Sequence, residues 1–176
     1  MNKPSVKIVA QAEWRATPED PRPDVSFVPP MERRRLTGVE RAAISVARKV
    51  YPEGEEVPVV FASRWGEIGT TLRLMRQMHE EGEMSPAGFS SSVHNAAPGA
   101  WSMFARNHAA YTAIAARERS YEMGLLEAEA QLASRAAPAI LYIYAEESTP
   151  GYYMPEFGEC VTAHASAQLL VPSEGA

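Results

Sequence analysis

The sequence contains a single cysteine, no long apolar run and no surplus of basic residues. With only Cys160 available, the chain cannot form an intramolecular disulfide framework, which is typical of a protein in a reducing compartment. The apolar stretch near the N-terminus is too short for the core of a signal peptide, and nothing approaches the roughly 20 apolar residues of a membrane span. We therefore predict a cytoplasmic protein with no membrane span.

The charge and the absent motifs exclude several function classes. A formal net charge of −5 gives no electrostatic footprint for nucleic acid, so we predict no nucleic-acid partner. There is no phosphate-binding loop, zinc-ligand spacing or dinucleotide fingerprint, and we expect neither a cofactor nor a metal. One dense basic cluster exists, formed by Arg33, Arg34 and Arg35. Such runs usually form a solvated surface, and the functional alternative is a docking site for an acidic partner.

What the 176 residues do contain is an alternation of strand-like and helix-like segments, which we interpret as one domain, residues 1–176. A proline-rich loop, residues 18–30, follows the first strand, and a capping box formed by Thr37 and Glu40 begins the first main helix. This alternation predicts an α/β fold with a mostly parallel sheet covered by helices. The predicted strands are residues 6–12, 57–62, 111–115, 139–145 and 161–171.

Two helices have marked apolar patterns. The helix that begins near Trp65 carries Ile68, Leu72, Met75 and Met78. A later helix, with Ser120 as its expected N-cap, runs to Leu132 and is apolar on nearly every side, which predicts a position in a core.

The most informative segment runs from Ser85 to Glu118. It contains a Ser-Pro turn, an Asn-Ala-Ala-x-Gly helix start at Asn95, an apolar helix and a short strand. In this layout it resembles the approach to the nucleophile in decarboxylating ketosynthases of the thiolase superfamily, where a cysteine lies at the N-terminus of a buried helix. The resemblance covers about residues 35–147 and implies half of a thiolase-like fold, which ends in a strand pair.

The departures from the family pattern concern its chemistry. Counted forward from Asn95 or backward from Ala128, the position of the family's cysteine falls on Glu118. The family's two catalytic histidines and its lysine belong to a C-terminal half that has no counterpart in this sequence. The resemblance therefore implies that the side chains used for thiolate attack and for oxyanion stabilisation are missing. A carboxylate at a helix N-terminus would be held ionised and unreactive toward thioesters.

The resemblance implies a role similar to that of the chain length factors, which replace the ketosynthase cysteine and line the end of a partner's acyl tunnel. The type it resembles is the shortened ketosynthase-like domain of aryl polyene synthases, a type II polyketide-like or fatty-acid-like system. The implied partners are a full-length ketosynthase, in a heterodimer, and indirectly an acyl carrier protein, which the arginine cluster could contact. The implied interface and tunnel-wall residues are Phe89, Val93, Trp101, Met103, Phe104 and Tyr111.

Alternatives stay open at this point. Trp101, Met103 and Phe104 could be ordinary core residues rather than a tunnel wall. A second function class is a small acyl-thioester-processing enzyme that uses Glu118 as a base, and a third is a purely structural adaptor of a synthase. Cys160 and His164 could imitate a nucleophile pair, but no helix start near Cys160 would lower the pKa of its thiol.

Overall fold

The computed structural model describes residues 6–134, 137–151 and 161–173. Five strands form a mixed sheet in the order β1-β5-β4-β2-β3. β2 pairs in parallel with β3 and β4, whereas β5 pairs antiparallel with β4 and β1, so four strands run in one direction and β5 runs in the other. This confirms the predicted α/β fold and its final strand pair. The strands are β1 (Val6–Arg15), β2 (Val59–Ala62), β3 (Tyr111–Ile114), β4 (Ile140–Glu146) and β5 (His164–Pro172).

Helices cover both faces of this sheet. The helices are α1 (Pro30–Arg33), α2 (Gly38–Val50), α3 (Ile68–Glu81), α4 (Pro86–Ser90), α5 (Ala96–Ala105) and α6 (Ser120–Ala133), with a 3-10 turn at Arg117–Arg119. The capping box that starts α2 is present: Thr37 Oγ accepts a hydrogen bond from Glu40 N at 3.1 Å, and Glu40 Oε2 accepts one from Thr37 N at 2.7 Å. Across the described ranges, no helix is long and apolar enough to cross a membrane.

The main core lies between α2, α5 and one face of the sheet. The inner face of α2, which includes Val39, Ala43 and Val46, is fully buried there. Alternate residues of β2 point to opposite faces, so Phe61 packs in this main core and Val60 packs in a smaller core under α6. The two helices α5 and α6 therefore lie on opposite faces of the sheet.

The prediction of a core helix that is apolar on all sides is wrong for α6. Its buried residues are Ser120, Gly124, Ala128 and Leu132, one row of mostly small side chains, whereas Leu126 is 54% exposed. The small row lets the helix lie close to the sheet, because a Cβ atom added at Gly124 would come within 2.6 Å of Ala62 Cβ. Ser120 is also not the N-cap: it is the first helical residue, and the N-cap is Arg119.

The predicted apolar face of α3 is largely uncovered. Leu74 is its one buried residue, and both Met75 and Met78 are exposed. The helix ends where Gly82 adopts a left-handed conformation, with φ of 75°. α3 thus forms as predicted, but none of its residues belongs to the two cores, and its buried Leu74 lies against Gly88 of α4.

Candidate functional site

The turn between β3 and α6 is held tightly by one buried serine. Ser120 Oγ accepts a hydrogen bond from Ala116 N at 2.9 Å and donates one to Arg117 O at 2.7 Å. Arg117 has a left-handed backbone, with φ of 53°, which is unusual for a residue with a side chain. The turn places Glu118 in the 3-10 segment just before α6.

Glu118 lies at the surface and forms an ion pair. Its side chain is 68% exposed, and its Oε1 accepts a hydrogen bond from Arg64 Nη2 at 2.8 Å. The Arg64 guanidinium also lies over the Trp65 ring, 4.6 Å from its centroid. An exposed pair of this kind contributes about 0–1 kcal/mol to stability. The geometry at this position therefore shows a surface ion pair rather than a buried reactive group.

β3 presents an open edge. The backbone N–H groups of Val59 and Ser63 donate hydrogen bonds to the carbonyl oxygens of Ala110 and Ile114, respectively. The even-numbered residues of β3 therefore direct their backbone groups toward β2. Ala113, at an odd-numbered position, directs its N–H and C=O away from β2. Within the described ranges no strand pairs with that outer side. An unpaired edge is a template for pairing with another chain.

An apolar groove of about 350 Å³ lies next to the outer face of α5. One side of the groove is formed by α5 and the loop after α4, and the other side by the connection between α1 and α2. The groove adjoins the β3 edge, because a Cβ atom at Gly99 would lie 3.7 Å from the Tyr111 hydroxyl. The apolar residues that line it include Leu36, Val93, Gly99, Ala100, Met103 and Phe104.

The structure brings together three of the six predicted wall residues in that groove. Val93 and Met103 are exposed and Phe104 is partly buried, and all three line the groove. Tyr111 adjoins it, and Phe89 is exposed on α4.

Trp101 occupies a different place. It is 1% exposed and packs edge-on against Tyr51 in the main core, with ring centroids 5.1 Å apart. Since the indole lies beneath the surface of α5, it cannot contact a partner chain in this conformation.

The arginine cluster is divided by the end of α1. Arg35 lines the groove, whereas Arg34 is exposed and the Arg33 carbonyl accepts a hydrogen bond from the Arg41 side chain. Contact of the cluster with a carrier protein stays a prediction. Cys160 lies outside the described residues, so its relation to His164 also stays open.

Sequence reasoning missed a group of buried and partly buried carboxyl groups at the ends of β2 and β4. Glu146 is buried; it accepts a hydrogen bond from Ser63 Oγ at 3.2 Å and another from the backbone N–H of Arg64. Glu147 accepts a hydrogen bond from the backbone N–H of Gly69. These contacts tie the end of β4 to the segment that begins α3.

Glu67 joins the same group. It is 3% exposed, and its Oε1 accepts a hydrogen bond from Thr37 Oγ at 2.7 Å, which connects the starts of α2 and α3. Burial raises the pKa of Glu67 to about 8; the Thr37 hydrogen bond opposes this, and the nearby Glu40 and Glu147 carboxyls add to it. The sequence signal was weak, because glutamates next to turns are normally solvated. In the described part of the chain, no three acidic, histidine or cysteine side chains are arranged to hold a metal ion.

Comparison with known proteins identifies the family of this chain. Residues 9–176 match the family model described as beta-ketoacyl synthase, N-terminal domain. No curated protein matched the sequence.

Solved structures show the same fold at low sequence identity. A ketosynthase (ApeO) in complex with its chain length factor (ApeC) from Xenorhabdus doucetiae matches with a TM-score of 0.82 and 22% identity, over 97% of this chain and 80% of that one. The ishigamide ketosynthase/chain length factor matches with a TM-score of 0.74 and 16% identity, over 87% and 49%. A beta-ketoacyl synthase from Burkholderia phymatum STM815 matches with a TM-score of 0.69 and 15% identity, over 83% and 45%. The chain thus spans about half the length of the latter two.

Proposed function

The chain belongs to the beta-ketoacyl synthase N-terminal domain family, and we propose that it is a non-catalytic subunit that pairs with a full-length ketosynthase and shapes its acyl tunnel. The observation that carries this proposal is the apolar groove beside the open β3 edge. Together they form a surface suited to receive a partner and to meet an acyl chain that the partner holds.

Pairing would use the edge of β3. The outward N–H and C=O of Ala113 are free to form a ladder with a strand of the ketosynthase, as expected for an edge strand. The exposed apolar side chains of Tyr111 and Met103 lie next to that edge and would be covered in the heterodimer. The similar structure of a ketosynthase in complex with its chain length factor supports pairing with a ketosynthase.

The wall of the tunnel would come from Val93, Met103 and Phe104. Each two-carbon unit of an acyl chain gains about 1.6 kcal/mol from apolar burial when space exists for it. A packed aromatic or thioether side chain removes that space, and overfilling a packed site is itself destabilising. Phe104 and Met103 can therefore limit the length of the product.

The position of Glu118 supports a non-catalytic role. Its carboxylate is exposed and paired with Arg64, so it lacks the buried setting that general-base catalysis of thioester chemistry would use.

We further propose that the substrates are acyl chains bound to a carrier protein and that the synthase is a cytoplasmic aryl polyene synthase. The carrier protein would contact this chain through Arg33, Arg34 and Arg35.

Co-expression with a full-length ketosynthase and size-exclusion chromatography test the pairing. We expect a heterodimer with the wild-type chain. Ala113→Pro should abolish it, because proline removes the outward N–H without touching the ladder to β2. Ala113→Ser keeps that N–H and should leave the heterodimer intact. The pairing proposal fails if no complex forms and the ketosynthase is fully active alone.

Product analysis on the same complex tests the wall. Met103→Ala and Phe104→Ala should each shift products to longer chains. Unchanged products from an intact complex would favour the structural adaptor instead. Glu118→Ala should have no effect on product formation, whereas thioester turnover by the isolated chain that depends on Glu118 would favour the small enzyme.

A further inference from the structure

Glu40 places a carboxyl group in the wall of an otherwise mainly apolar groove. It is the third residue of α2, is 6% exposed, and lines the groove opposite Gly99 and Ala100 of α5. Burial raises the pKa of this carboxyl group. A carboxyl group removed from water is unfavourable unless its oxygens find hydrogen-bond partners.

Only one oxygen of Glu40 has a protein partner. Oε2 accepts the hydrogen bond from Thr37 N at 2.7 Å, and Thr37 Oγ is itself occupied by Glu40 N and Glu67 Oε1. Within the described part of the chain, no protein group donates a hydrogen bond to Oε1. The capping box therefore fixes the carboxyl group and leaves one acceptor for a ligand in the groove.

We propose that Glu40 makes the groove selective for an acyl chain whose far end carries a hydroxyl group, which donates a hydrogen bond to Glu40 Oε1. This inference rests on the proposed function, because it assumes that the groove receives the end of the partner's acyl chain. The apolar residues contact the hydrocarbon part of the chain, and Glu40 recognises its terminal hydroxyl group. A chain that ends in a methyl group would leave the oxygen desolvated and unpaired, which is how buried polar groups reject ligands that lack a hydroxyl.

A hydroxyl fits this groove better than a cationic chain end. An ammonium group is strongly hydrated and would lose its water among the apolar residues Leu36 and Phe104. A neutral donor does not meet this obstacle.

Competition between carrier-bound chains in the heterodimer tests the inference. The three probes are decanoyl, 10-hydroxydecanoyl and 10-methoxydecanoyl chains on the acyl carrier protein, compared by kcat/KM for elongation. We expect the wild-type complex to prefer the hydroxyl chain over decanoyl by about tenfold or more, since one hydrogen bond separates them. The methoxy chain only accepts hydrogen bonds and should gain no such preference.

Glu40→Gln is the matched variant. Glutamine retains an oxygen for Thr37 N, as a capping box allows, but presents an NH₂ donor to the groove. The variant should lose most of the preference for the hydroxyl chain over decanoyl and should gain activity toward the methoxy chain. Glu122→Gln changes an exposed carboxyl group on α6, on the opposite face of the sheet from the groove, and should leave the wild-type order unchanged. Thermal melts should show that both variants are folded.

The outcomes separate this inference from the proposed function. Equal kcat/KM values for the three chains, in a complex whose products still lengthen on Met103→Ala, would overturn the role of Glu40 alone. If no heterodimer forms, titration calorimetry of the isolated chain with 10-hydroxydecanoate and decanoate gives the same comparison, because the groove lies within one chain. Equal affinities, or a preference unchanged in Glu40→Gln, would then overturn the inference.

Discussion

At the scale of single residues, a few buried or partly buried glutamates affect how the stability of this domain responds to pH. Glu40, Glu67 and Glu147 all have a raised pKa, with burial as the largest cause in each. The three side chains meet where α2 and α3 begin, so their protonation affects how those two helices are joined.

Glu67→Gln should flatten the pH dependence of stability. The folded-state pKa of Glu67 is raised from 4.5 to about 8, so the stabilisation from its protonated form is complete below about pH 4.5 and is lost as the pH rises to about 8. Urea unfolding should show a wild-type free energy that falls between pH 5 and pH 8.5. The variant should fall less, with a remainder from Glu40 and Glu147. The exposed Glu118→Gln should keep the wild-type slope, and an equal slope in Glu67→Gln would contradict the assignment.

Residue patterns predicted some of this site and not the rest. The capping box of Thr37 and Glu40 was readable, because it depends on two residues three positions apart. The burial of Glu67 was not, because it depends on a hydrogen bond to Thr37, 30 residues earlier in the chain. Trp101 and Met103 are equally apolar in the sequence, yet the first is buried and the second is 75% exposed.

At the scale of elements, close contact between α6 and the sheet depends on the absence of side chains. Gly124 lies against Ala62 of β2 and Tyr142 of β4. The buried row of α6 is spaced four residues apart, and its small members determine how near the helix lies.

Gly124→Ala should destabilise the domain despite a better helix propensity. The added Cβ atom would lie 2.6 Å from Ala62 Cβ and 2.7 Å from Tyr142 Cε2, so the helix must move away from the sheet. We expect a net loss of about 1–3 kcal/mol in the free energy of unfolding. Ala130→Gly, at an exposed site on the same helix, gives the propensity effect alone, about 1 kcal/mol. A more stable Gly124→Ala protein would show that the contact can relax.

At the scale of the whole molecule, much apolar surface is left uncovered. Met75, Phe89, Val93, Met103 and Tyr111 are exposed, and the last three lie at the groove or beside it. Contiguous apolar surface of this kind marks an interaction site in a folded protein. The isolated chain should therefore associate as its concentration rises.

Met103→Asp should reduce this self-association and also prevent pairing with the ketosynthase. The side chain is 75% exposed, so the folded chain tolerates the charge, whereas a covered interface would bury it unpaired. Sedimentation velocity of the isolated chain and of the mixture with the ketosynthase measures both effects. Leu126→Asp places the same charge on exposed α6, on the opposite face of the sheet, and should change neither. If the Met103→Asp variant still pairs with the ketosynthase, this surface is not part of the interface.

The sequence by itself determined the element types, the α/β class and the family, because the elements depend on local patterns of apolar periodicity, caps and turns and the family on the match over residues 9–176. The tertiary structure alone decided which apolar faces are covered. It placed Trp101 in the core and left Met103 at the groove, buried Glu67 beside Thr37, and paired Glu118 with Arg64. Burial and charge pairing depend on residues that are distant in the chain, so no local pattern contains them.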